Sequence, residues 1–244
     1  MPHSTAESIV SDRLTLGLMA KFWTVGAVKT RLGRSIGMHQ AARLHKVFVQ
    51  VLTINLVSVA DQRMVVVTPR EKANRFSSQI SPQWSVAHQS DGDLGQRMMS
   101  WFSDVIHEST DEVQQSAILI GADCPMINDE VIESAAEQLK ANDVVIGPAV
   151  DGGYYLLGLS GPWRPAYQRL FVSMPWSSDE VLSETIQRCD EAGLAVAMLP
   201  TREDIDTIES LDRLRAELLA DTTTECASSL LQQIDTILTQ ESQS

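Results

Sequence analysis

The apolar positions of this chain fall in short blocks whose period changes from one block to the next. Residues 14–20 (LTLGLMA) are almost continuously apolar, as in a strand covered on both faces. After a polar stretch, Ala41, Leu44, Val47, Phe48, Val51 and Leu52 recur at helical spacing and predict a long amphipathic helix. Residues 64–69 (MVVVTP) predict a second strand stopped by proline, and residues 84–89 (WSVAHQ) a third. Leu94, Met98, Trp101, Phe102 and Val105 form one helix face. Residues 117–125 (AILIGADCP) predict a strand with a polar end, followed by a helix over 129–139. Strands over 143–149 and 154–159 flank a DGG turn. A helix near 178–189, a strand over 194–200 and a helix near 208–219 complete the pattern.

Strands thus alternate with helices, and no Gly/Ser- or Pro-rich linker interrupts them. That predicts one α/β domain over residues 13–220, with a mostly parallel sheet flanked by helices and right-handed crossovers. Residues 1–12 read as a disordered lead. In the tail, residues 221–244, a capping pattern from Thr222 to Glu225 precedes Leu230, Leu231, Ile234, Ile237 and Leu238, an amphipathic helix. That helix either packs on its own domain or makes a homodimer contact.

The 244 residues carry a formal net charge of −13, which argues against a nucleic-acid partner or an anionic membrane held by the bulk surface. Three widely spaced cysteines without a CxxC pair fit neither a disulfide scaffold nor a zinc knuckle, and point to a reducing cytoplasm. The first residues lack the apolar core of a signal peptide, and no apolar run is long enough to span a membrane. The histidines show no HxxH or HExxH spacing, and no GxSxG occurs.

Ligands of a parallel α/β sheet sit at the carboxyl ends of its strands. Lys21, Lys29 and Arg31 follow the first strand, Asp123 the strand of 117–125, Asp151 the next, and Asp204 and Asp206 the last. Asp143 precedes its strand and belongs to the opposite edge as a solvated loop residue. Acids and bases on one edge suit a metal–nucleotide site. Gly26 lets the backbone approach an anion, and on an extended chain Lys29 and Arg31 point the same way, both exposed. Arg31 grips phosphate bidentately and Lys29 acts as a point charge; the other reading is an ordinary basic loop. Asp123 is a metal ligand or a turn residue. Asp151, before Gly152 and Gly153, belongs to a substrate pocket or to a hairpin turn. Asp204 and Asp206 serve a metal or cap the following helix. Magnesium needs only one or two carboxylates beside substrate phosphates. Cys124 is a nucleophile or a buried structural thiol.

In order along the chain, AKFWTVGAVKTRL, QSDGDLGQRM, GADCP, GPAVDGGYYLLGL, LFVSMPWSSDEVLSET and REDIDTIESLDRL resemble motifs of the radical-SAM/selenodomain-associated transferases, a glycosyltransferase-A-like group. The resemblance runs from about residue 19 to 214. It implies a nucleotide-diphospho-sugar transferase fold, whose superfamily includes glycosyltransferases, sugar-phosphate nucleotidylyltransferases and guanylyltransferases. It implies catalytic roles for Lys29, Arg31 and Asp123, with the basic loop (Lys21, Gly26, Lys29, Arg31) on the nucleotide phosphates. By the same likeness Asp123 and Asp206 hold Mg²⁺ or Mn²⁺, and Asp151, Gly152, Gly153 and Tyr154 line the acceptor pocket. Trp23 and Val25 stand where the motif has prolines, which leaves the loop less rigid. The expected activity is transfer of a glycosyl or nucleotidyl group from a nucleotide or nucleotide-sugar to a small acceptor. Nucleotidyl transfer with pyrophosphate release is one alternative, and a nucleotide-binding module without turnover is another.

Overall fold

The computed structural model describes residues 11–106, 113–221 and 224–240. Strand β1 (Ser11–Lys21) leads through a loop to helices α1 (Thr30–Ile36) and α2 (Met38–Asn55). Then come β2 (Gln62–Thr68), α3 (Ala73–Ser77), β3 (Ser85–His88), α4 (Leu94–Val105), β4 (Val113–Gly121) and α5 (Asp129–Leu139). The second half holds β5 (Val144–Pro148), β6 (Tyr154–Ser160), α6 (Pro165–Gln168), α7 (Val181–Glu191), β7 (Val196–Met198), α8 (Ile208–Ala220) and α9 (Glu225–Thr239). Ser11 and Asp12, expected in a disordered lead, belong to β1; residues 1–10 lie outside the described residues. Thr222 lies outside them too, and the cap of α9 is Thr224, whose hydroxyl accepts from Ala227 N.

One seven-stranded sheet has the order β3-β2-β1-β4-β6-β5-β7. Its expected, mostly parallel character is corrected: the sheet is mixed, because β6 runs antiparallel to both β4 and β5. The cause is the DGG turn. It joins β5 to β6 as a hairpin, with Ala149 N donating to Gly153 O, where a crossover helix would have kept the strands parallel.

Alternation along the central strands fills both faces. Leu16, Leu18 and Ala20 of β1 and Ile118 and Ile120 of β4 enter the cluster under α2 and α5. Ala117 and Leu119 of β4 enter the opposite cluster with Trp101 and Phe102 of α4. On that face β1 presents Gly17, whose missing Cβ would lie 2.4 Å from the Trp101 indole. A third cluster joins Leu32, Leu44 and Phe48 to Leu211, Leu214, Leu230 and Ile234. The tail helix α9 therefore packs on α2 and α8 of its own chain.

Candidate active site

The predicted residues meet where β1, β4 and the chain after β7 end. Beyond β1, Gly26 turns the loop at φ 78°, and Lys29 closes it at φ 44°, ψ 45° as the residue before α1. A side chain beyond glycine is uncommon at positive φ, and such strain concentrates where function fixes a conformation. The consequence overturns the extended-loop expectation. Lys29 turns inward, with 1% of its side chain accessible, whereas Arg31, already in the helix, is 68% accessible. The left-handed residue and the helix start immediately after it separate the two side chains.

Lys29 Nζ donates to Asp123 Oδ1 at 2.5 Å and to Ile205 O at 2.8 Å, lies 3.7 Å from Asp206 Oδ1, and rests 5.0 Å from the Phe48 ring centroid. Arg31 approaches the other oxygen of Asp206 at 4.0 Å. Asp123 follows β4, and its backbone O accepts from Ile205 N, which ties the β4 loop to the segment after β7. Burial opposes ionisation of Asp123, but the Lys29 charge beside it holds its carboxyl well below the usual range. Its side chain keeps 41% of its surface accessible and that of Asp206 keeps 35%, so both carboxylates also face outward. Neither Asp204 nor Asp206 caps α8; Thr207 does, in a reciprocal pair with Ser210.

Asp204 has a separate partner. The Cys124 thiol donates to its Oδ1 at 2.8 Å. Burial, reinforced by the charges of Asp123, Asp151 and Asp206, pushes the Asp204 carboxyl up to about 6 despite that bond. Burial and Asp204 also push the thiol far above its ordinary range, which fits a structural Cys124 and not a nucleophile.

Asp151 accepts from Gly153 N at 3.0 Å, so its carboxylate organises the hairpin turn while standing near the other acids. Gly152 sits at φ 88° against the Asp179 backbone, and its carbonyl accepts from Leu182 N. Tyr154 turns to the α4/α7 side, packing on the cluster that holds Cys189. Lys21 is exposed at the end of β1. Asp143 does lie at the opposite edge, but it is bound and not merely solvated, pairing with Arg164 at 2.5 Å and accepting from Ala195 N.

A cavity of about 300 Å³ adjoins the site, bounded by Cys124, Met126, Arg202, Ile205 and Leu214, but Lys29, Asp123 and Asp206 do not line it. The carboxylate edge, with its converging charges, is the better candidate. Among the described residues no three His, Cys, Asp or Glu side chains group as a metal cage.

Sequence patterns missed His45. It is 5% exposed, its Nε2 lies 3.0 Å from Lys21 O, and its Nδ1, buried without a hydrogen-bond partner, lies 3.8 Å from Asp123 Oδ1. A carbonyl only accepts, so Nε2 carries the proton toward Lys21. The available signal was a histidine inside the apolar stripe of α2.

The architecture is that of the nucleotidyltransferase-like α/β proteins. The chain is similar to a proposed nucleotide-diphospho-sugar transferase from Desulfovibrio desulfuricans G20, at 28% identity and a TM-score of 0.81, covering 92% of this chain and 96% of that one. It shares its fold with the 4-diphosphocytidyl-2C-methyl-D-erythritol synthase of Anaerococcus prevotii (12% identity, TM-score 0.52, 85% and 99% covered). It also shares it with a cytidylyltransferase of Leptospira borgpetersenii (12% identity, TM-score 0.51, 94% and 98% covered). A search of the curated proteins found no match. Residues 54–178 match DUF2064, described as uncharacterised protein conserved in bacteria, and the chain belongs to that family. No helix among the described residues is long and apolar enough to cross a membrane.

Proposed function

We propose that this protein is a metal-dependent transferase that takes a nucleotide or nucleotide-diphospho-sugar and passes a nucleotidyl or glycosyl group to a small acceptor. The observation that carries the reading is the buried Lys29 ammonium between Asp123 and Asp206, at the strand edge where ligands of such sheets bind. A structural ion pair needs no outward-facing carboxylates, yet Asp123 and Asp206 both keep about a third or more of their side chains accessible.

The donor set fits a hard divalent cation, since two carboxylates suffice for Mg²⁺ or Mn²⁺ when substrate phosphates and water fill the remaining positions. Asp123 and Asp206 would hold the ion, whose chemistry is neutralisation of phosphate charge. Lys29 fixes both carboxylates and offsets part of their mutual repulsion. Arg31, exposed beside Asp206, supplies a mobile fork for phosphate oxygens. The turn of Asp151, Gly152 and Gly153 offers backbone and carboxylate to the acceptor.

Nucleotidyl transfer is the favoured form. Asp123 has no acidic residue two positions away, so the DxD pair common in glycosyl transfer is missing from that strand end. Purified protein with Mg²⁺ is incubated with each nucleoside triphosphate and a pool of phosphorylated metabolites, and in parallel with nucleotide-sugars. Pyrophosphate release lost in Asp123→Ala supports nucleotidyl transfer; nucleoside diphosphate release lost in that variant supports glycosyl transfer. Nucleotide binding with neither product across the pool refutes the enzyme reading in favour of a binding module.

A further inference from the structure

Beside the carboxylate site lies a cluster of opposite sign. The chain after β1 places Phe22 and Trp23 in a stack 4.7 Å apart, and Phe76 of α3 closes on Trp23 at 4.7 Å. Each ring of the stack carries cations: Lys46 Nζ lies 5.6 Å from the Trp23 ring, and Lys72 Nζ and the Arg75 guanidinium lie 5.7 and 5.4 Å from Phe22. Lys21 is exposed at the end of β1, and Arg70 is exposed two residues past the end of β2. Phe22 N donates to Thr68 O, which fixes the β1 and β2 ends side by side.

Lys21, Lys46, Arg70, Lys72 and Arg75 make no ion pair among the described residues. That is unexpected in a chain with net charge −13, where carboxylates outnumber cations. Lys46 and Lys72 are moreover half-buried. Gathering like charges and partly desolvating them costs free energy that the ring contacts offset only in part.

We propose that Lys46, Lys72 and Arg75, seated over Phe22 and Trp23, form an anion subsite that takes the phosphate or diphosphate group of a ligand, distinct from the carboxylates at Asp123 and Asp206. Its occupant is an organic phosphate, carried either by a nucleotide or by a phosphorylated acceptor. The subsite goes beyond the transferase reading, because it binds phosphate without metal and without turnover.

The test titrates the full chain with inorganic pyrophosphate in chelator, by calorimetry, at low and moderate salt. Lys46→Met and Lys72→Met keep the aliphatic stems on the rings and remove only the charges. Each is expected to weaken pyrophosphate by about tenfold, the loss of one charge-assisted contact. Lys72→Arg retains most of the affinity. Lys140→Met, at the C-terminal end of α5, changes net charge equally and leaves affinity unchanged. Competition then assigns the source: displacement by nucleoside triphosphate but not by a sugar phosphate identifies the nucleotide, and the reverse identifies the acceptor. The proposal is overturned if wild type does not bind pyrophosphate, if the Met variants that melt like wild type bind it equally well, or if Lys140→Met weakens it as much. None of these outcomes bears on metal-dependent turnover, which Asp123→Ala reports separately.

Discussion

Replacing Lys29 by methionine removes one charge and leaves the stem that packs on Phe48. At an effective dielectric near 20, unit charges 2.5 Å apart attract by roughly 6–7 kcal/mol before solvation is counted. Desolvation of the nearly inaccessible lysine offsets much of this, and removing one partner of a buried pair typically costs about 3–5 kcal/mol. Because Asp123 is 41% accessible, water screens the abandoned carboxylate, and the low end, about 3 kcal/mol, is expected. For a chain of this size that lowers Tm by about 6–12 °C. The pH dependence is the sharper signature. In wild type the Asp123 carboxyl is held below its unfolded value, so its contribution is full above pH ~4 and is lost only as pH falls through the lower folded value. Without Lys29, burial is left to oppose ionisation, and the carboxyl is expected to rise above its unfolded value. Lys29→Met should therefore gain stability relative to wild type as pH falls from 7 toward 4.5. Urea denaturation of both proteins at several pH values in chelator measures this. Equal stability at pH 7, or a deficit that does not shrink on acidification, refutes the idea that Lys29 neutralises the carboxylate pair.

Three further outcomes follow from the same geometry. Asp204→Asn removes a carboxyl pushed up to about 6, mainly by burial; a raised acid loses stability as pH rises from about 4 to 6, on the order of 3 kcal/mol. Wild type should thus weaken relative to the asparagine variant over that range, and parallel stability curves would contradict it. Gly152→Ala adds a Cβ 2.3 Å from the Asp179 carbonyl at φ +88°, whereas Gly26→Ala, at φ +78°, meets nothing within 4 Å. The first should cost roughly 2–4 kcal/mol and the second only about 1, by urea denaturation, and equal costs would show that the Asp179 contact yields freely. Calorimetric titration with Mn²⁺ in the presence of a nucleoside triphosphate should show Asp123→Ala weakened at least tenfold; unchanged affinity removes Asp123 from the metal site.

The sequence by itself determined the order and type of the strands and of the longer helices, while the short helices α1, α3 and α6 went unread. Apolar runs such as residues 117–120 are short and bounded by turn residues, and the stripe from Ala41 to Leu52 has only a helical period, so local chemistry leaves little choice. It also placed Asp123, Asp151 and Asp206 just past strand ends, because a strand that stops at a proline or glycine shows its own boundary. It left Asp151 open between pocket and hairpin, and the hairpin, in reversing β6, made the sheet mixed. Tertiary structure alone decided the charges. Lys29 looked like an exposed loop cation because nothing in GAVKTRL states that residue 29 takes positive φ or that Asp123, 94 residues away, waits at its ammonium. Nothing in the sequence links His45 to Lys21 and Asp123, or Lys46, Lys72 and Arg75 to the rings of Phe22 and Trp23. Ion pairs and cation–ring contacts depend on distances of a few ångströms between residues far apart in the chain. Periodicity reports which face a side chain takes, but which remote partner occupies that face is settled only when the sheet closes around them.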